Sequence, residues 1–178
     1  MFEIKFDNLV LKSNKHKIFN NNIIFLFYGI GCSSDDFKFL FNTLDAKFNL
    51  YIVELPGHNF IKYSENDLYS FSKKIYLFLK KKNIRKITFF AHSLGGLIPI
   101  ILVKNFIKKK IFISNFINYE GNLTKYDTET LTKKTVSYNK NEFISRKFKN
   151  LVKKVECSGN IFLRYWCRSL KKTSPYAF

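Results

Sequence analysis

Histidine is scarce in this chain, and all three copies, His16, His58 and His92, precede residue 93. Chemistry that needs an imidazole later than that is excluded for these 178 residues. Cysteine is equally rare: Cys32, Cys157 and Cys167 are odd in number and lack metal-ligand spacing, so neither a disulfide framework nor a metal site is expected. Long apolar runs are missing too. The longest, Ile23 to Phe27 and Leu97 to Val103, are too short to span a bilayer, and Met1 to Asp7 carries charges where a secretory signal needs an unbroken apolar stretch. These absences lead us to expect a soluble cytoplasmic protein with no membrane span. Acidic residues are few, 13 against 31 Lys and Arg, giving a formal charge of +18. Such a balance raises nucleic acid or an anionic membrane as a partner. Only four of the cations are arginine, however, the residue that phosphate-forking and base-reading surfaces favour, so no nucleic-acid partner is expected. A cationic surface on the residues beyond 121 is the weakest of three functional readings.

What the chain does have is core material, 46% hydrophobic residues including 18% aromatic, enough for one substantial core. Glu3 to Lys12 reads as a partly exposed strand or hairpin. Ile23 to Tyr28, Leu50 to Leu55, Ile87 to Phe90 and Ile111 to Asn118 read as buried strands, and continuous apolar runs of that length suit a parallel sheet covered on both faces. Between them, Ser33-Ser34-Asp35-Asp36 caps a helix through Phe37, Leu40, Phe41 and Leu44. Asn66 to Lys82 is an amphipathic helix, and Leu94 to Lys109 a third that contains Pro99. Alternating strands and helices predict an α/β fold, a doubly wound and mostly parallel sheet flanked by helices, over residues 1–121. Residues 122–178 are polar, lysine-rich and helix-compatible, and form the second unit.

Near the middle stands Ile87-Thr88-Phe89-Phe90-Ala91-His92-Ser93-Leu94-Gly95-Gly96-Leu97, a buried strand running into a serine between small residues and then a helix. A serine hydroxyl is a poor nucleophile unless geometry exposes it and a base takes its proton. A tight strand-to-helix turn supplies the geometry, and Ala91 and Gly95 supply the small flanks it needs.

Three stretches in order resemble the α/β-hydrolase superfamily, over roughly residues 23 to 123. Tyr28-Gly29-Ile30-Gly31-Cys32-Ser33-Ser34 stands where that family has a His-Gly loop; Glu54-Leu55-Pro56-Gly57-His58 resembles its Asp-Leu-Pro-Gly-His turn; Ala91-His92-Ser93-Leu94-Gly95-Gly96 resembles its Gly-His-Ser-Met-Gly-Gly elbow. Tyr119-Glu120-Gly121-Asn122-Leu123 resembles the exit to a helical lid, which residues 122–178 would form. The resemblance implies an incomplete α/β-hydrolase core and hydrolysis of a small-molecule ester, thioester or amide with no cofactor. Ser93 would be the nucleophile and the amides of Ile30 and Leu94 the oxyanion hole. Glu120 is either the acid or a polar residue of the strand-to-lid turn. The family's base lies later in sequence, whereas His58 and His92 have structural positions by resemblance. We therefore expect a truncated form with little activity alone, or alternatively a degenerate fold kept as a binding module. The oligomeric state is open.

Overall fold

The computed structural model describes every residue except 19, 45, 66, 109 and 122–130. The expected boundary residues Asn66, Lys109, Asn122 and Leu123 lie outside the described set.

Six strands form one sheet in the order β1-β2-β4-β3-β5-β6. The first two, β1 (Phe2–Phe6) and β2 (Leu9–Ser13), are the expected hairpin, and β2 runs antiparallel to β4 (Asn49–Val53). From β4 the sheet is parallel, through β3 (Ile23–Phe27) and β5 (Lys86–His92) to β6 (Phe112–Tyr119). The central strands are apolar at successive positions because helices and loops cover both faces. Phe25, Phe27, Leu50, Tyr51, Ile52 and Val53 are fully buried.

Helix α2 (Leu68–Lys81) begins at Asp67, whose carboxylate accepts from the Ser70 amide, and lays Phe71, Ile75, Phe78 and Leu79 on the sheet. Phe78 reaches Phe25, their ring centres 6.1 Å apart. Two other helices differ from the expected single runs. The segment after Ser33 is a 3₁₀ turn, Ser34–Phe37, followed by the short α1 (Phe39–Thr43). After β5 the chain makes a 3₁₀ turn at Ser93–Gly96, then α3 (Leu97–Leu102), then a π turn at Val103–Ile107. Pro99 is the third residue of α3 and is buried.

Beyond the undescribed stretch come α4 (Leu131–Val136) and a helical run of α5 (Lys140–Glu142), a π turn (Phe143–Lys147) and α6 (Phe148–Glu156). The last helix is α7 (Ile161–Leu170). Phe143, Phe148, Val155, Cys167 and Leu170 form a second, smaller core joined by Phe178, separate from the core around the sheet. Helix α7 reaches the sheet domain through Trp166 and Leu170, which lie against Gly31, and through polar contacts. The Ser169 hydroxyl donates to Asp36 Oδ1 at 2.8 Å and meets Ser33 Oγ at 2.8 Å, and Lys172 pairs with Asp35 at 2.6 Å.

Strand β6 is an edge among the described residues. Phe112, Phe116, Ile117 and Tyr119 are all exposed, and the strand carries no charge. An apolar, charge-free edge is a template for intermolecular pairing. Ile117→Lys should leave the unfolding free energy within about 0.5 kcal/mol and lower light scattering at matched concentration; unchanged scattering would show that the edge is not the adhesive surface.

Candidate functional site

The site is built where β5 stops. Ser93 takes φ = +52°, a left-handed conformation that a residue with a side chain adopts only when its surroundings impose it. What imposes it is packing on the end of β3. A Cβ on Gly95 would lie 2.4 Å from the Phe27 carbonyl oxygen and 2.6 Å from that of Tyr28, so only glycine lets the turn approach this closely. On the other side a Cβ on Gly29 would lie 2.7 Å from Ser93 Cβ and 3.1 Å from Ser93 Oγ. Ser93 thus lies in a turn seated on β3 at Gly95, with Gly29 against its side chain; it is half-buried, and its hydroxyl has no hydrogen-bond partner among the described residues.

Of the residues singled out in the sequence, Ile30 follows Gly29 directly and Leu94 is the second residue of the turn, so both amides belong to the segments that flank Ser93. Glu120 sits one residue past the β6 position paired with His92, has φ = +48° and is exposed.

The two histidines of the sheet domain are accounted for separately. His58 Nε2 accepts from the Gly31 amide at 3.0 Å, which places its proton on Nδ1, and Nδ1 donates to the Pro56 carbonyl at 3.1 Å. Burial pushes its pKa down to about 4, so the ring is a neutral bracket between the Pro56-Gly57 turn and the loop carrying Ile30. His92 lies against Gly29, with its ring near Phe37 and Tyr119. Its Nδ1 is buried and has no partner among the described residues. Burial lowers its pKa, with Glu120 and Asp36 partly opposing that.

Two of the departures from the family pattern, Tyr28 and Glu54, touch each other. The Tyr28 hydroxyl donates to Glu54 Oε2 at 2.6 Å and accepts from the Leu55 amide at 2.9 Å. Glu54, almost fully buried, also accepts from Asn59 at 2.8 Å and from the Ser34 hydroxyl. Burial, reinforced by Glu54, holds the Tyr28 phenol well above its ordinary pKa, as a proton donor. Sequence reading missed this network; the signal was the pair of substitutions at positions that face each other across β3 and β4.

A cleft of about 690 Å³ is lined by His92, Cys32, Phe37, Tyr119, Trp166 and Arg168 among others; it reaches the end of β5 at His92, and Ser93 is not among its lining residues. Burial, with a smaller push from Asp36, raises the Cys32 thiol to about 12, which removes it as a nucleophile at neutral pH. Among the described residues no three His, Cys, Asp or Glu gather as a metal site requires.

The fold is that of the α/β-hydrolases. A carboxylesterase from the thaumarchaeon Nitrososphaera gargenis superposes with a TM-score of 0.68 at 17% identity, over 98% of this chain and 68% of its own. A bromoperoxidase from Bacillus anthracis gives 0.69 at 14%, over 95% and 66%, and an esterase from Exiguobacterium antarcticum 0.65 at 12%, over 95% and 66%. No family model and no curated protein matches the sequence.

Two expectations follow. Gly95→Ala should lower the unfolding free energy by about 2 kcal/mol or more through the clash with Phe27. Gly159→Ala, whose Cβ would meet nothing within 4 Å, should not; equal urea midpoints for the two would contradict the close approach. The second concerns acid. Because the folded pKa of His58 lies below its ordinary value near 6.5, the unfolded chain binds the proton more readily, and stability is lost as pH falls from about 6.5 towards 4. The loss attributable to this ring is on the order of 3 kcal/mol, with His92 acting in the same direction. Denaturation across that range, with the His58 ring resonances followed by NMR, would show the ring still neutral at pH 5.5.

Proposed function

We propose that this chain is a serine hydrolase of small-molecule esters, thioesters or amides in which Ser93 is the nucleophile. The observation that carries the reading is the left-handed turn at Ser93, with Gly29 against its side chain. In the proposed step Ser93 Oγ bonds to the substrate carbonyl carbon while the carbonyl oxygen gathers charge. The amides of Ile30 and Leu94 hold that oxygen, an interaction worth roughly 3 kcal/mol for a single donor. The alcohol, thiol or amine then leaves with a proton, and water releases the acyl group from Ser93.

The proton transfers need a base, and the described residues offer none in position. His58 has both nitrogens committed, and His92 turns Nδ1 into a buried, unpartnered position. We read the base as belonging to sequence outside these residues, with Glu120 as its acid partner. The uncovered β6 edge and neighbours whose chains are about half as long again support that reading. Residues 1–121 are then the core and 122–178 a lid, and turnover by this chain alone is low, since breaking a serine–base unit costs about a millionfold in comparable enzymes. The absent base also favours a second reading, a degenerate fold in which the cleft only binds.

A fluorophosphonate probe separates the two. Slow labelling that Ser93→Ala abolishes, with p-nitrophenyl butyrate hydrolysis barely above background, is the expected result. Absence of labelling, together with ligand-induced change in the fluorescence of Trp166, the sole tryptophan, would favour the binding module. Labelling that persists in Ser93→Ala would remove the nucleophile.

A further inference from the structure

Helices α6 and α7 form a hairpin whose inner face is packed and whose tip is not. Val155, Cys167 and Leu170 face inward. At the start of α7, Ile161 is 51% exposed, Phe162 79%, Leu163 40% and Tyr165 53%. These positions are not a frayed end. The Asn160 side chain accepts from the Phe162 and Leu163 amides and fixes the first turn, so the apolar groups are presented to water in a set arrangement.

The charge along α6 and α7 has one sign. From Lys140 to Lys172 there are ten Lys and Arg against two Glu, and both glutamates are already paired, Glu142 with Arg146 and Lys147, Glu156 with Lys171. Lys149, Lys153, Lys154 and Arg164 are exposed and have no carboxylate partner among the described residues, and the Arg168 guanidinium stacks over the Tyr165 ring at 4.8 Å. Helix α7 contains no acidic residue.

A fixed apolar turn on a pair of helices that carry unneutralised cations matches a surface that is apolar within and anionic at its boundary. We propose that the first turn of α7, with the exposed lysines of α6, docks on an anionic phospholipid bilayer. Ile161, Phe162 and Leu163 enter the headgroup layer while Lys149, Lys153, Lys154 and Arg164 meet lipid phosphates. A nucleic-acid backbone would satisfy the cations but leave the three apolar side chains without a role, which is why the bilayer is favoured. The proposal does not rest on Ser93 being a nucleophile.

Flotation of the full chain with vesicles of phosphatidylglycerol and phosphatidylcholine in equal parts, at about 0.15 M salt, tests it. The chain should float with these vesicles and much less with pure phosphatidylcholine. Phe162→Asp should lower the bound fraction about tenfold or more, and Lys153→Gln with Lys154→Gln should weaken binding to the anionic vesicles. Phe112→Ser, an exposed apolar residue on β6, should leave it unchanged; circular dichroism verifies that each variant is folded. The proposal is overturned if the chain does not float, or if Phe162→Asp binds like the parent. It is equally overturned if duplex RNA displaces the vesicles and is bound as well by Phe162→Asp.

Discussion

Residue 93 can sit where it does because two pieces of main chain are allowed to touch. The turn after β5 presses on the end of β3 so closely that the Gly95 Cα faces the Phe27 and Tyr28 carbonyls with no room for a methyl group, and Gly29 closes on Ser93 from the far side. A left-handed serine costs about 1–3 kcal/mol, and it persists because the packing on both sides leaves no other course for the chain. The pairing of β3 with β5 sets the contact, so the turn is a consequence of the sheet and not a local preference of its residues.

The loop bearing Ile30 is fixed from beneath by polar groups. Glu54 gathers donors from Tyr28, Ser34 and Asn59, and His58 takes the Gly31 amide, so the chain from 28 to 34 is tied at its start, middle and end to the residues that follow β4. A buried carboxylate that lacked these donors would be strongly destabilising, and a network of this kind holds as a unit. Helix α7 then sits on that loop, with Trp166 and Leu170 against Gly31. Since its other ties to the sheet domain are hydrogen bonds and one half-buried ion pair, each worth about 1 kcal/mol net, the helix pair is held less firmly than the sheet's own helices.

The sheet was legible because each central strand is an unbroken apolar run, and the elbow because its small residues flank a serine between a strand and a helix. The hairpin pairing of β1 with β2 was legible in the alternation of Glu3 to Lys12. What was not legible depended on distant contacts. Nothing in the local sequence says that the run from Leu94 to Lys109 changes from 3₁₀ to α to π geometry, or that Ser34–Phe37 is a tight turn and not the start of a longer helix. Those details follow from how tertiary packing meters the backbone. Likewise Tyr28 and Glu54 read separately as substitutions, and only the side-by-side placement of β3 and β4 makes them one interaction. His92 looked structural, and its ring does pack on Phe37 and Tyr119, but the unpartnered Nδ1 beside Gly29 is a feature that spacing does not reveal.

The strain at Ser93 and the chemistry of Ser93 are separable. Because Gly95 and Gly29 over-determine the turn, the left-handed backbone would remain whether or not a base stood nearby, and so the turn alone does not measure activity. The hydroxyl's surroundings are more discriminating. It is half-buried and unbonded to any described residue, whereas the nearby thiol of Cys32 is kept protonated by burial and burial lowers the pKa of His58 and His92. Burial thus keeps the Cys32 thiol protonated and leaves the Ser93 hydroxyl unengaged among the described residues, so the reactivity of that hydroxyl depends on a proton acceptor and not on the turn.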